Sequence, residues 1–600
     1  MSDAAESGAT EYTLSDKGRV LRVSSSLDSP LIATSMRCIE ALSEPFRIEL
    51  TFLSEADDID FSEVLGKSMT VTVDLPGQTT RYWNGVVTAF TQSGRDDNFS
   101  YYAALVQPKL ARLALQSNCR IFQDMKVDDI LEELLAGIEE KKTAYTHAEE
   151  RLPHNYRVQY GETDFAFVSR LMEEAGIFYY FEHDEKKHTM VLCDDSTQAA
   201  VGADLAPLEY RPTDGGVQDK PAVKRWRKTQ ALAPTGITFR DTHFQAPRDP
   251  FEATRKVAAT LSLGASTHKL PPDGTEHALL DYGSGYTVRY DGVGTKEQNP
   301  GADGVGKDAL SNMRADAERE AQRVCDLLTA EAISIDGGSD ALALTPGGAF
   351  TLSGHFNADT DYVVTRIFHD LKVGGAYASP DDEALHYENE FYCWPKATPY
   401  RPRQVTPKPR IHGVQSAWVV ADLTESEADI TKLKTQLYDK YGRVKIRFPW
   451  DRRAEAVVEG EQPDGAVGPT NRSCWVRVAQ FWAGAGWGAF FWPRHGNEVL
   501  VAFEHGDPDR PIIVGSVYNA KNLPPMEMPR QQDVAGVRSC SIQGNPTSEY
   551  NGITFHDELY NEHLEIQSEG HSVKKNEQSE HSYVLGSSIS VCGSLFGFPK

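Results

Sequence analysis

No stretch of this 600-residue chain approaches 18 consecutive apolar residues, so nothing in it reads as a membrane-spanning helix. The opening MSDAAESGATEYTLSD has neither the basic stretch nor the apolar core of a cleavable signal. We therefore expect synthesis in the cytoplasm, with any export using a route that reads no such signal. The eight cysteines are widely separated and contain no C-x-x-C pair, which excludes a zinc ribbon and gives no disulfide framework. Free, packed thiols are the expectation. Positive charge is in deficit: 61 Lys and Arg face 87 Asp and Glu, a formal net charge of −26. Such a chain opposes the phosphate neutralisation that drives nucleic-acid binding, and no nucleic-acid partner is expected.

What is present is length enough for several domains, most of it written in short strands. From about Tyr12 to Leu115 the pattern alternates, as in MTVTVDL, where Met69, Val71 and Val73 share one face. A β-barrel or sandwich follows from that. VDDILEELLAGIEEKK and ETDFAFVSRLMEEAG switch to helical spacing. In the second, Phe165, Val168, Leu171 and Met172 form one stripe, with Thr163 as N-cap and Gly176 as C-cap. IFYYFEH returns to strand. A third helix is predicted from about Asp308 to Ala332, carrying Leu310, Met313, Ala317, Ala321, Val324 and Leu328 at spacings of three and four. DYVVTRIF after it is a strand.

KATPYRPRQVTPKPR places Pro399, Pro402, Pro407 and Pro409 in fifteen residues and reads as an extended, stiff connector at a domain boundary. Beyond it, RVKIRF sets Val444, Ile446 and Phe448 against Arg443, Lys445 and Arg447; CWVRVAQ, EVLVAF and PIIVGSVY follow. About five short strands with glycine-rich turns suit a small closed barrel. A second proline-rich break, NLPPMEMPR, leads to a tail from about Tyr550 whose short runs GITF, HLEIQ, YVL and ISV cannot close a core by themselves. That tail needs neighbours, most simply copies of itself.

Several stretches mimic reactive motifs. GADGVGKD (301–308) fits a phosphate loop opening a helix, but Asp308 stands where a Mg²⁺-holding Ser or Thr belongs and its charge repels phosphate. HDEKKH (183–188) spaces its histidines by five, where a zinc-protease helix needs four, and reads as a surface turn. His556, His563, His571 and His581 would ligate a metal only if three chains stacked them on an axis, and solvated turns are the plainer reading. An acidic chain always offers carboxylate pairs for glycoside hydrolysis, yet 521–550 is too short for a lysozyme-like domain. We assign no catalytic, cofactor-binding or metal-ligating residue.

LSEPFRIELTFLS (42–54), RIFQDMKVDDIL (120–131), VQYGETDFAFVSRLMEEAGIFYYFEH (158–183), YGRVKIRFPWDR (441–452) and SCWVRVAQFWAGAGWGAFFWPRHGNEVLVAFEHGDPDRPIIVGSVYNAKNLPP (473–525) closely resemble the VgrG family, in collinear order over most of the chain. Members of that family form the trimeric spike of type VI secretion systems and are related to the hub and needle of contractile phage tails. The resemblance implies a mainly β fold with a few helices. Residues 1–404 would be a hub module of two β-barrels, 405–520 an OB-type barrel and 521–549 a linker. Residues 550–600 would begin a triple-stranded β-helix needle formed by three chains. It further implies a non-enzymatic homotrimer that caps the hexameric Hcp tube, contacts baseplate components, a PAAR-type tip protein and effectors or adaptors, touches the target membrane transiently, and is secreted or injected. A phage-tail or extracellular-particle spike, and an envelope-degrading enzyme, are the alternative readings.

Within that frame the aromatics Trp482, Trp487, Phe490, Phe491 and Trp492 are expected to bury themselves in core and subunit packing while GDPD turns into RPIIVG; a sugar-stacking platform is the alternative. The chain departs from the family pattern in two long insertions, ADLTESEADITKLKTQLYDK (421–440) and RRAEAVVEGEQPDGAVGPTN (452–471). Its last residues, SSISVCGSLFGFPK, turn apolar where termini normally fray. Leu595, Phe596 and Phe598 from three chains would make a patch that seats the tip protein, above a last layer containing Ile589 and Val591. The alternative is that they close off the needle's own core.

Overall fold

Alternating sequence becomes paired strand through most of the computed structural model, which describes residues 18–27, 31–138, 140–212, 220–270, 274–287, 307–374, 384–420, 437–439, 441–451, 474–542 and 544–589. The chain separates into two units, Met1–Val517 and Tyr518–Lys600.

In the first unit, β1 (Leu21–Ser24), β2 (Ile32–Ala41), β3 (Glu44–Ser54), β4 (Ser68–Val73), β5 (Arg81–Arg95) and β6 (Ser100–Gln107) hydrogen-bond in the order β1-β4-β5-β6-β3-β2. β1 also lies alongside β2, so the sheet curls into a ring. Met69, Val71 and Val73 point inward together, as their alternation predicts. Gly85 is required where β5 crosses β6, because a Cβ there would sit 2.6 Å from Val106 Cγ1.

β7 (Ser117–Met125) pairs with β9 (His154–Thr163) around α1 (Val127–Leu134) and β8 (Lys141–Ala144). α2 (Asp164–Ala175) then follows directly. Its caps are those the sequence specifies: Thr163 Oγ1 accepts from Ala166 N at 3.1 Å, and Gly176 takes a left-handed φ of 69°. Phe167, Val168, Leu171 and Met172 are buried, with Phe165 at the margin of the stripe. β10 (Phe178–His183) and β11 (His188–Cys193) form a hairpin.

A second ring starts with β12 (Leu208–Tyr210) and β13 (Ala222–Gln230). It is interrupted by a small sheet of β14 (Gly236–Arg240), β15 (Glu252–Lys256) and, after the hairpin of β16 (Thr260–Leu263) and β17 (Ser266–Lys269), β18 (Ala278–Tyr282). α3 (Lys307–Ala332) lies on that sheet: Ala317, Ala321, Val324 and Leu328 pack on Ile237, Phe239 and Ala253. The side chain of Leu310 and residues 301–306 of the phosphate-loop mimic fall outside the described residues. β19 (Ile333–Ser339), β20 (Ala349–Ser353), β21 (Asp361–Gly374) and β22 (Ala384–Pro395) complete the ring β21-β20-β12-β13-β19-β22, and β22 pairs back onto β21. β21 pairs with β2 as well, so both rings belong to one twelve-stranded sheet.

The OB-type barrel contains β23 (Gln415–Val420), β24 (Lys445–Arg447), β25 (Arg477–Val478), the small hairpin β26 (Ala483–Gly484) and β27 (Trp487–Gly488), β28 (Glu498–Phe503) and β29 (Pro511–Val517). Five of these run in the order β24-β23-β28-β29-β25, and a bridge between Val444 and Val476 joins the two ends. Val444, Ile446 and Phe448 fill its core. Arg443, expected on the outer face, is buried instead, its Nε 2.6 Å from the buried Asp439 carboxylate. Residues 421–436, 440 and 452–471 of the two insertions fall outside the described residues; of the remaining three, Leu437 and Tyr438 pack into the barrel core and Asp439 holds Arg443. Among its described residues the second unit holds one antiparallel sheet, β30 (Val534–Arg538), β31 (Gly552–His556) and β32 (His563–Gln567). Its first strand lies in the stretch read from sequence as linker, and YVL (583–585) forms no strand.

Candidate functional site

Three features distinguish this molecule: a charged junction between the OB barrel and the twelve-stranded body, an aromatic arm on the barrel, and the open sheet of the second unit. The junction is built on the GDPD stretch. Asp507 N donates to Glu504 O at 3.0 Å and Arg510 N to Asp507 O at 2.9 Å, forming the turn that the sequence predicts. Its carboxylates do more than turn the chain. Lys408 Nζ lies 2.8 Å from both Asp507 and Asp509, Arg157 Nη1 lies 2.8 Å from Asp509, and Val158 N donates to Asp509 Oδ1 at 2.8 Å. Burial works to raise the Asp509 pKa, but Lys408 and Arg157 hold it well below the usual carboxylate range.

A second layer links Arg510 to Asp241 at 3.3 Å and to Glu504 at 3.2 Å, and Glu504 in turn to Arg477. Phe244 sits against the guanidinium groups of Arg443 and Arg477, 4.7 and 5.5 Å from its ring centre. Ile121 and Tyr160 pack against the barrel core, and Tyr160 Oη accepts from Gln415 Nε2 at 2.6 Å. The proline-rich connector is strapped to the same body. Tyr400 stacks edgewise on Phe178 at 5.6 Å, Arg401 Nη1 donates to Asp194 O at 2.8 Å, and Thr406 bonds Glu173 through both N and Oγ1. Proline and charge therefore give an extended segment that is fixed in place.

The aromatic arm corrects one expectation. Glycine permits close approaches here: a Cβ on Gly484 would lie 2.3 Å from the Trp487 ring, and one on Gly442 2.5 Å from Trp492. The rings pair among themselves, Trp482 with Trp487 at 5.3 Å and Phe481 with Phe491 at 6.0 Å. Yet they do not enter the core of their own chain. Phe481 is 82% exposed, Phe490 71% and Trp487 58%. Among the described residues β26 and β27 pair only with each other, and neither joins the five-stranded barrel sheet.

In the second unit, register places Val537, Ile553 and Ile566 in one row and Ala535, Phe555 and Leu564 in the next. The five large side chains on this face are 46% to 70% exposed. A face of that size rarely stays uncovered in a water-soluble chain.

The remaining sequence candidates resolve as follows. Asp184 closes the 183–188 turn by accepting from Lys186 N and Lys187 N at 2.8 and 2.9 Å. The turn residues 184–187 are exposed, as the surface-turn reading expects, but the flanking histidines turn inward, their rings 4.8 and 5.5 Å from Phe46. His188 Nε2 accepts from Lys109 N at 3.1 Å, and burial drops its pKa to about 4. Close by, the buried Glu40 accepts from Arg81 at 2.5 Å and from Trp83 Nε1 at 2.7 Å, and lies 3.3 Å from His369, whose pKa burial also lowers to about 4. These buried polar groups went unnoticed in the sequence, where a glutamate inside an apolar strand was their one signal. His556 and His563 stack across strands at 4.1 Å, while His571 and His581 are exposed. Among the described residues no cluster of three His, Cys, Asp or Glu is placed to hold a metal. The candidate tip residues Leu595, Phe596 and Phe598 lie outside the described residues, and Ile589 is exposed. No described helix is long and apolar enough to cross a membrane.

Comparison with known proteins matches the same two regions. The family model of the phage tail baseplate hub covers residues 39–374, and that of the type VI secretion system/phage-baseplate injector OB domain covers 464–518. The type VI secretion system spike protein VgrG1b of Pseudomonas aeruginosa is 30% identical over 586 residues, spanning 95% of this chain and 70% of its own length. Among solved structures, the chain is similar to the E. coli c3393 protein, described as a component of the type VI secretion system that resembles T4 tail proteins gp27 and gp5. The TM-score is 0.51 at 20% identity, over 83% of this chain and 99% of that one. It is also similar to the lidded Francisella PdpA-VgrG complex, with a TM-score of 0.52 at 9% identity, over 89% of this chain and 76% of that one. At those identities the structural likeness speaks for the fold alone.

Proposed function

The chain belongs to the VgrG family of type VI secretion system spike proteins, and from that premise we propose that three copies form a spike that caps an Hcp tube and is driven by sheath contraction through a target envelope, carrying effectors with it. The observation that carries this reading is the uncovered apolar face of β30–β32, which a single chain leaves in water. Burying one Val, Leu, Ile or Phe side chain is worth ~1.5–3 kcal/mol, so threefold repetition of the face supplies a large, obligate contact. The aromatic arm adds a second surface of the same kind.

In this reading residues 1–404 form the hub, 405–520 the barrel and 550–600 the start of the needle, with β30, from the 521–549 linker, adding a strand to the needle's sheet. The role is mechanical, since closed sheets and a multiply bonded junction pass axial load without bending. It is also non-enzymatic, in keeping with spike-protein relatives. The spike sits on Hcp and the baseplate, takes a PAAR-type protein at its tip through Leu595, Phe596 and Phe598, and loads effectors or their adaptors. The structurally similar Francisella VgrG was solved in a complex with PdpA, and we read this chain as bearing a cargo of its own. It is made in the cytoplasm and then secreted or injected. A phage-tail or extracellular-particle spike is the second reading, favoured by the OB-domain model spanning both kinds of machine.

Deleting the gene from its host tests the proposal. Release of Hcp into the medium should stop and return with the wild-type gene, but not with an Ile553→Asp, Phe555→Asp version. Undiminished release in a strain with no other spike gene would overturn it. For the tip, removing residues 594–600 should leave the trimer intact but unable to retain its cap in co-purification. Retention of the cap, or loss of the trimer, would refute the tip assignment.

A further inference from the structure

The small sheet under α3 has β14 at its centre, β15 antiparallel on one side and β18 parallel on the other. Both outer strands are five residues long, and among the described residues neither pairs with anything beyond β14. Such edges are templates for strand addition, and proteins usually blunt them with proline, lysine or a bulge. ALLDY, the sequence of β18, has none of these. Leu280 is 70% exposed and Tyr282 55%. α3 covers β14 and β15, leaving Leu279 on the other face of β18 exposed as well.

Charge distinguishes the two edges. Register aligns Arg255 with Ile237 and Asp281 with Phe239, so Arg255 and Asp281 both lie on the face that α3 covers. Burial, with Glu320 and Asp241 nearby, raises the Asp281 pKa, a carboxylate whose surroundings favour an arriving cation. Among the described residues Arg255 ion-pairs with the exposed Glu318 on α3. Two β18 edges brought together would oppose one Asp281 to another and give a twofold contact. A three-chain ring needs two different, complementary patches on every chain. This sheet supplies such a pair.

We propose that β18 of one copy adds beside β15 of the next, continuing the small sheet from chain to chain around the spike and bringing Arg255 to the side where Asp281 lies. The proposal rests on the trimeric reading above and deepens it, adding a backbone-paired contact far in sequence from the tail. It places Leu280 near Thr254 of the neighbouring copy, since both project from the face opposite α3. Paired residues on adjacent strands have Cβ atoms roughly 5 Å apart.

The test co-expresses two full-length chains, one carrying Thr254→Cys and the other Leu280→Cys, and treats the purified mixture with a short bismaleimide. A cross-linked two-chain band, mapped by peptide mass to the two introduced positions, is expected from the mixture. Neither variant expressed alone should give more of it than the wild type does. Light scattering on the same samples separates the ways to fail. Three chains without the specific cross-link would overturn the edge contact and leave the trimer standing. A single chain in solution would overturn the trimer, and this contact with it.

Discussion

The OB barrel and the tail sheet are written in the same local code, short antiparallel strands of alternating residues, yet one closes and the other does not. In the barrel the bridge between Val444 and Val476 joins the ends of a five-stranded sheet, and Val419, Ile446 and Phe448 become fully buried. In the tail, three strands present Ile553, Phe555 and Ile566 to solvent. The difference teaches that alternation specifies a face but not what covers it. A barrel covers its own; a lone three-stranded sheet needs another layer.

The comparison can be broken most severely in the tail. Ile553→Asp with Phe555→Asp should reduce the particle from three chains to one by light scattering, while the main thermal transition of the body survives. A variant that stays trimeric would show that the open face is not the contact. Next in size is the junction. Asp509→Ala removes the buried carboxylate that Arg157 and Lys408 share, leaving Arg157 with Glu174 and Lys408 with Asp507, which should cost the first unit ~1.5–3 kcal/mol by calorimetry. A loss below about 1 kcal/mol, the scale of an exposed pair, would mean that the junction does not hold the barrel to the body.

Acid sharpens the contrast further. His188 and His369 titrate near 4 in the folded chain, whereas unfolded histidine titrates near 6.5. Between those values the unfolded chain binds protons that the folded one refuses. Stability of the first unit is therefore complete above about pH 6.5 and falls as pH drops toward 4, by about 2 kcal/mol for each histidine at pH 5. His188→Gln should flatten part of that slope in denaturant titrations, and an unchanged slope would contradict it. The smallest effect belongs to the arm: Trp487→Ser should change the body's unfolding free energy by less than about 0.5 kcal/mol, because the ring is exposed within its own chain. A much larger loss would place that ring in the chain's own core after all.

Local signals were legible in proportion to how local their causes are. Thr163 and Gly176 bracket α2 because capping depends on a few neighbouring residues. The inward set Val444, Ile446 and Phe448 follows from strand period alone. Long-range partners were not legible. Asp509 meets Arg157 across a separation of 352 residues, and nothing near GDPD announces it. His183 and His188 flank a polar turn, yet Phe46 and Asn84, from distant strands, draw them inward. The aromatic arm misled for a related reason: large rings among glycines promise burial, but sequence does not say in which chain.

The central claim is that copies of the same chain cover the tail face and the arm. Hydroxyl-radical footprinting of the full-length protein at micromolar concentration tests it most directly, with the Ile553→Asp, Phe555→Asp variant as the single-chain reference. The account predicts that Leu564, Ile566 and Trp487 are strongly protected in the wild type and modified readily in the variant. Equal modification in both, at the level of freely exposed side chains, would contradict it.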